Sequence, residues 1–215
     1  MQTVEKGLRE QHKAQRRLRI LDATRELLRD SPESVITTER IAERAGVAPA
    51  TVYNLIGPRD KIWEALAVGF MDELERHLAA LGAGAGAGAG AGDPQEVVGS
   101  TVRLLVGDPV VSRRMVREWE ESGLVLDHSP LTQLRQAMAD ARTQGLLRAD
   151  IDTDALAIVV ATACVGALHQ WVAALIDDDR FLARALFALD VALAAAAADP
   201  YREQLLAPLR TRGAV

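Results

Sequence analysis

The sequence predicts an all-α chain. Alanine and leucine abound while aromatic residues are only 4% of the total, a balance that favours helix over sheet. Apolar residues recur three and four positions apart through most segments, which is the spacing of a helix stripe, and no convincing strand pattern occurs. Proline and glycine interrupt these stripes at short intervals. At 215 residues, 49% apolar and 26% charged, the chain has the composition of one or two globular domains, and whole-chain disorder is excluded.

Taken in order, the first stripe is Ile20, Leu21, Thr24, Leu27 and Leu28, stopped by Asp30-Ser31-Pro32. A short helix is expected to start with Thr38 as its N-cap, to turn Ile41, Ala42 and Ala45 inward and to end at Gly46. Another runs from Pro49 to Leu55, with proline in its first turn. Gly57-Pro58 breaks the chain. A long helix from Arg59 to Leu81 follows, carrying Ile62, Trp63, Leu66, Phe70, Leu74, Leu78 and Leu81 as its stripe. Gly82 to Gly92 is a strict Gly-Ala alternation, in which each glycine penalises a helix by roughly 1 kcal/mol relative to alanine. A flexible linker is expected there.

Further helices are expected over Gln95–Val106, Pro109–Ser122 and Pro130–Gln144. The apolar segment Ala155–Ile176 and the segment Phe181–Ala198 come next, the latter with Leu182, Leu186, Leu189 and Leu193 on one stripe. Tyr201–Leu209 adds a final turn. The small residues of the last two long segments allow close helix-on-helix approach. Ala155–Ile176 has no charged residue and is long enough to cross a bilayer. Its Ala, Gly and Thr content, its His169 and Gln170, and its flanking aspartates without Lys/Arg bias argue instead for a core and oligomer-interface helix. No membrane association and no secretory signal are expected.

Net charge is −5, so no global attraction to polyanions exists. The cations nevertheless cluster before Leu21, in Lys6, Arg9, Lys13, Arg16, Arg17 and Arg19, whereas acids dominate from Asp150 onward. That asymmetry suits either a nucleic-acid-contacting arm or a solvated terminus. The single cysteine, Cys164, excludes an internal disulfide framework and a cysteine-based zinc cluster, and fits a reducing cytoplasm.

Residues 37–62, TTERIAERAGVAPATVYNLIGPRDKI, read as short helix, glycine-centred turn and second short helix. This is the helix-turn-helix pattern, whose second helix enters the DNA major groove. Ile41, Ala42, Val47, Val52 and Leu55 are the expected buried positions. The outward face of the second helix offers Pro49, Ala50, Thr51, Tyr53 and Asn54, small or hydroxylated side chains that can approach base edges and thymine methyls. Thr51 is expected nearest a base and Tyr53 to give its hydroxyl to a phosphate. The helix start near Arg59 presents N–H groups and a cation to another phosphate. Arg40 and Arg44 are either solvated or phosphate contacts, and Thr38 is a phosphate ligand only after its capping role.

At Ile41-Ala42, Ala45-Gly46-Val47, Thr51, Tyr53 and Ile62 the chain resembles the TetR-like (tetracycline repressor) family of bacterial regulators, over roughly residues 17–66. The resemblance implies a homodimer that represses nearby genes and leaves DNA when a small molecule enters the helical body. The chain departs from the family pattern at Ala48, where a capping Ser or Thr is usual, and at Leu55-Ile56, where His-Phe is common. Ile56 keeps the role of core plug. Arg59 stands at the usual lysine position, and Lys61 adds a second cation.

The expected organisation is therefore an amino-terminal arm and helix-turn-helix head over 1–61 and a ligand-binding and dimerisation body over 62–215, with the linker 82–92 within it. Its partners are a pseudo-palindromic double-stranded operator, a second copy joined through helices 155–176 and 181–198, and a small-molecule effector. Met115, Trp119, Met138, Thr162, His169 and Trp171 are candidates to line the effector site, against the plainer reading of core or interface residues. A body serving only dimerisation or protein docking is the alternative, and an enzyme or carrier with a vestigial head is the third reading. Catalysis is disfavoured: His12, His77, His128 and His169 are scattered without metal-ligand spacing, and no nucleophile elbow, P-loop or dinucleotide fingerprint occurs. No cofactor or metal is expected.

Overall fold

The computed structural model of the chain describes residues 2–31, 35–84, 93–122 and 130–211, with the side chains of 9–31, 35–80, 93–118 and 130–206. The described residues form helices and no named strand: α1 (Gln2–Asp30), α2 (Thr38–Ala45), α3 (Pro49–Leu55), α4 (Arg59–Gly84), α5 (Pro94–Gly107), α6 (Pro109–Ser122), α7 (Pro130–Thr143), α8 (Thr153–Val172), α9 (Asp178–Ala196) and α10 (Asp199–Thr211). The all-α expectation holds. Within the Gly-Ala segment, α4 continues to Gly84 rather than stopping at Leu81, and residues 85–92 lie outside the described part. The carboxy-terminal turn is a full helix, α10.

By packing the chain divides into two compact units. One comprises residues 1–69 and 108–125, the other residues 70–107 and 126–215. The first unit has its core in Ile20, Leu21, Leu27 and Leu28 of α1, Ile41 and Ala42 of α2, Val52 of α3, and Ile62, Trp63 and Leu66 of α4. Thr24 sits fully buried in the α1 stripe. It is tolerated there because its Oγ1 donates to the Ile20 carbonyl at 2.8 Å, as a buried hydroxyl requires. α6 belongs to this unit, tied to α1 by Arg29 on Asp108 at 2.6 Å.

The second unit packs α8 and α9 against each other, with α7 on α8 and with α5 and α10 on α9. The buried row of α9 is Phe181, Ala185, Leu189 and Leu193, an i, i+4 ridge. Leu182 and Leu186, expected in that row, are half-buried at its margin. Trp171 is fully buried and stacks on Phe181 with centroids 5.2 Å apart and planes at 22°. Its indole N–H donates to Asp178 at 2.7 Å, so both ends of the ring are satisfied. Asp177 caps α9 by accepting from the Arg180 N–H at 2.8 Å, and Asp152 caps α8 by accepting from Asp154 and Ala155. The aspartates flanking the apolar segment are thus helix starts. Asp190 is buried and accepts from the Gln95 side chain at 2.8 Å, a polar tie between α9 and α5. Burial pushes the Cys164 thiol up to about 11, which leaves it protonated and inert at neutral pH.

α8 is the one described helix long and apolar enough to cross a membrane, yet only 22% of its most apolar window is buried within the chain. Ile158, Val159 and Val165 of α8 and Val191 of α9 are 43%, 61%, 46% and 46% exposed. The helix expected to be covered on most sides is therefore covered by its own chain on one side only.

Trp171→Ala should remove the stack on Phe181 and the indole bond to Asp178, at a cost of about 3–5 kcal/mol. Chemical denaturation should show this as a lower midpoint with an unchanged slope; a midpoint within error of the parent would contradict the packing described.

Candidate nucleic-acid interface

The turn between α2 and α3 is built on one left-handed residue. Gly46 has φ 64° and ψ 41°, a region that any side chain enters at a penalty. Its N–H reaches the Glu43 carbonyl at 3.2 Å, and the Val47 N–H returns to Ala42 at 2.9 Å. These are the paired bonds of a Schellman turn, and they satisfy carbonyls that the end of α2 leaves free. At the other end of α2 the cap is Thr37, not Thr38: the Thr37 hydroxyl accepts from the Arg40 N–H at 3.3 Å. The reason is positional. Thr37 has the extended backbone an N-cap needs, at φ −109° and ψ 155°, whereas Thr38 is already helical.

The N-cap residue of α3, Ala48, makes no side-chain cap bond, and proline stands in the first turn. Its inward anchor is Val52, fully buried; Val47, Leu55 and Ile56 are only half-buried. Two arginines of α1 close the ends of both short helices. Arg17 donates to the Leu55 carbonyl at 2.9 Å and Arg19 to the Ala45 carbonyl at 3.2 Å. Cations at helix carboxyl ends satisfy orphan carbonyls and complement the helix dipole.

With Val52 turned inward, the opposite face of α3 stands clear. Pro49, Ala50, Tyr53 and Asn54 are exposed and Thr51 is half-buried; Tyr53 is 62% exposed. A groove of about 420 Å³ runs beside this face, lined by Thr51, Asn54 and Leu55 of α3 and by Arg9, His12, Lys13 and Arg16 of α1. The four α1 residues have the i, i+3, i+4, i+7 spacing of one helix face. That spacing is readable in the sequence, but only the structure sets the stripe beside α3.

The other cations expected here sit differently. Arg44 pairs with Asp30 at 2.7 Å and with Glu26 at 3.3 Å, and these carboxylates raise its pKa. Arg59 pairs with Glu118 at 3.2 Å. Lys61 pairs with Glu64, which raises its pKa. Arg40 donates to the Val35 carbonyl at 3.2 Å. Thr38 is half-buried at the start of α2.

The effector-site candidates are divided between the two units. Met115 is buried in α6 of the first unit. Met138 of α7 and Trp171 of α8 are fully buried in the second. Thr162 and His169 lie exposed on α8. The side chain of Trp119 falls outside the described residues.

A short helix anchored by one buried side chain, joined through a glycine turn to a second, with its opposite face free, is the working part of a helix-turn-helix DNA-binding protein. Residues 20–55 match the model of the bacterial regulatory proteins of the tetR family. The head is similar to that of the tetR-family regulatory proteins over these residues, in keeping with the motif resemblance. Solved structures extend the likeness in fold beyond the head. SmeT, the repressor of the Stenotrophomonas maltophilia multidrug efflux pump SmeDEF, is 24% identical with a TM-score of 0.60, over 86% of this chain and 92% of that one. The SmeT–triclosan complex gives 23% identity and a TM-score of 0.58, over 86% and 93%. A TetR transcriptional regulator from Rhodococcus sp. RHA1 gives 19% and 0.57, over 86% and 97%. No curated protein matches the chain in sequence.

Ala48→Ser should supply the missing cap and stabilise the protein by about 1 kcal/mol. A raised denaturation midpoint checks it; an unchanged one would mean that the start of α3 is already satisfied.

Proposed function

We propose that the protein is a homodimeric repressor that binds a pseudo-palindromic operator through α3 and releases it when a small molecule enters the second unit. The observation that carries the DNA reading is the free face of α3, where a tyrosine stays 62% exposed beside half-buried Thr51. In this reading Thr51, Ala50 and Pro49 meet base edges, and Tyr53, Asn54 and Thr38 meet phosphates or sugars. Arg40, Arg44, Arg59 and Lys61 add phosphate contacts at the cost of exchanging their present partners. Two heads set about 34 Å apart read two half-sites.

The dimer reading rests on the open apolar side of α8 and α9. A shallow cleft of about 270 Å³, lined by Ala155, Leu156, Val159, Ala192 and Ala195 among others, continues that side. Apolar side chains exposed together favour burial at about 25 cal/mol per Å², and the small residues between them admit a close helix crossing. The aspartates at Asp150, Asp152, Asp154 and Asp177–Asp179 favour a protein partner over a bilayer, since no Lys/Arg bias orients α8 in a membrane. SmeT, solved with triclosan, supports an apolar effector. Of the candidate contacts, Met138 and Trp171 are the large buried side chains that such a ligand would displace or line, and Thr162 and His169 lie with the exposed side of α8. Met115 and Trp119 of α6 are the candidates in the first unit. As a regulator of DNA the protein works in the cytoplasm, without catalytic chemistry of its own. An effector preferring the released state by a few kcal/mol suffices to switch it.

Selection of bound duplexes from a random pool should enrich a two-fold symmetric site, and a Thr51→Ala, Tyr53→Ala double variant should lose it. A pool left unenriched by the parent at low salt would sink the operator reading. Separately, Val159→Glu with Val165→Glu should convert the dimer to a monomer in sedimentation equilibrium and weaken operator binding at least about tenfold, one unit of 1.4 kcal/mol. A monomeric parent, or a dimer that survives both glutamates, would remove α8 from the interface.

A further inference from the structure

The head's cations differ in how far the fold occupies them. Arg25 pairs with Asp22 at 2.7 Å, Arg29 with Asp108 at 2.6 Å, Arg44 with Asp30 at 2.7 Å, and Arg59 and Arg114 share Glu118 at 3.2 and 2.8 Å. Lys61 pairs with Glu64. Each one-to-one pair is electrically neutral beyond contact range, and Glu118 cancels one of the two charges of Arg59 and Arg114. Arg17 and Arg19 keep their charge but spend their donors on the carboxyl ends of α3 and α2. Arg9, Lys13 and Arg16, with His12 among them, are exposed and have no ion-pair partner among the described residues. They line the groove beside Thr51 and Asn54. Glu10 is the one acid from residue 9 to residue 19, and it points about 100° round the helix from Arg9.

A helix stripe of unpaired cations next to a reading helix is what a polyanion meets first. We propose that the amino-terminal half of α1 is a second DNA-binding element, in which Arg9, Lys13 and Arg16 hold backbone phosphates of the duplex that α3 enters. This element, and not the cations flanking the helix-turn-helix, supplies most of the salt-dependent affinity. The stripe from residue 9 to residue 16 rises about 10 Å, enough to meet neighbouring phosphates of one strand. Phosphate contacts position a protein without reading sequence, so the arm adds affinity and register while Thr51 and its neighbours keep the specificity. His12 lies within the stripe and adds an imidazole N–H donor. The proposal rests on the DNA-binding reading of α3, but its test does not need an operator.

The test is a salt titration of the intact protein on a duplex of arbitrary sequence and on any duplex recovered by selection. The parent is compared with an Arg9→Gln, Lys13→Gln, Arg16→Gln variant and with an Arg59→Gln, Lys61→Gln variant. Each lost phosphate contact lowers the slope of log affinity on log salt by about 0.9. The arm variant, losing three cations per subunit, should therefore flatten the slope of a dimer by about 5, with the selected sequence unchanged. The Arg59, Lys61 variant should change it by less than about 2. An Arg9→Lys, Arg16→Lys variant should keep the parental slope, and circular dichroism should show all four proteins equally helical.

Equal slopes for the parent and the arm variant would overturn the proposal, even if the parent enriches an operator. A parent that holds arbitrary duplex with a steep, arm-dependent slope but enriches no site would support the arm and sink the operator reading. A parent that holds no duplex at about 50 mM salt would overturn both.

Discussion

The left-handed turn at Gly46 decides what the head can present. α2 and α3 are each too short to be stable alone, since isolated helices under about 12–15 residues are marginal in water. They persist because Ile41, Ala42 and Val52 are buried in the core that α1 and α4 supply. That burial needs α3 to leave α2 at a fixed angle. The angle comes from φ 64° at Gly46 and the two return bonds to Glu43 and Ala42. A Cβ at this position would meet nothing within 4 Å, so the need for glycine is one of backbone conformation and not of space. With the angle set and Val52 inside, Pro49, Ala50, Tyr53 and Asn54 have nowhere to point except outward.

Around that turn, α1 has three jobs that its sequence keeps apart by helix position. Its carboxy-terminal half carries the buried stripe from Ile20 to Leu28. Its middle supplies Arg17 and Arg19, which donate to carbonyls at the carboxyl ends of α3 and α2. Ala48 offers no side-chain cap at the start of α3, so the Arg17 bond at Leu55 holds the one end of this helix that a side chain closes. The amino-terminal half then carries cations that the fold does not consume. An acidic protein of net charge −5 can still approach DNA with this face, because potential at the surface follows the local distribution and falls off within a Debye length of about 8–10 Å.

Most of this was legible in the sequence. Helix existence and order follow from stripe spacing and from breakers, and proline marks the starts of Pro49–Leu55 and Pro109–Ser122. Boundaries moved where capping chemistry was ambiguous: two adjacent threonines compete at the start of α2, and only the extended backbone of Thr37 decides between them. The α9 stripe was read along Leu182 and Leu186, since leucine outweighs alanine in a hydrophobic pattern. The structure buries Phe181 and Ala185 instead, because a close crossing on α8 selects the row that packs tightly. The basic residues of α1 were visible as a cluster but not as a site. Their proximity to Thr51 is a tertiary fact. So are the pairings of Arg44 with Glu26 and Asp30 and of Arg59 with Glu118, whereas Lys61 and Glu64 are neighbours on one helix turn. The openness of α8 is a property of the single chain, to which composition alone gives no access.

Amide hydrogen exchange of the intact protein, free and saturated with duplex, tests the central claim most directly. Two regions should gain protection on binding, residues 49–56 of the reading helix with its turn and residues 9–17 of α1. α8 and α9 should exchange alike in both states. Protection confined to segments other than α3 would contradict the account, because the orientation set at Gly46 would then present a face that DNA does not use.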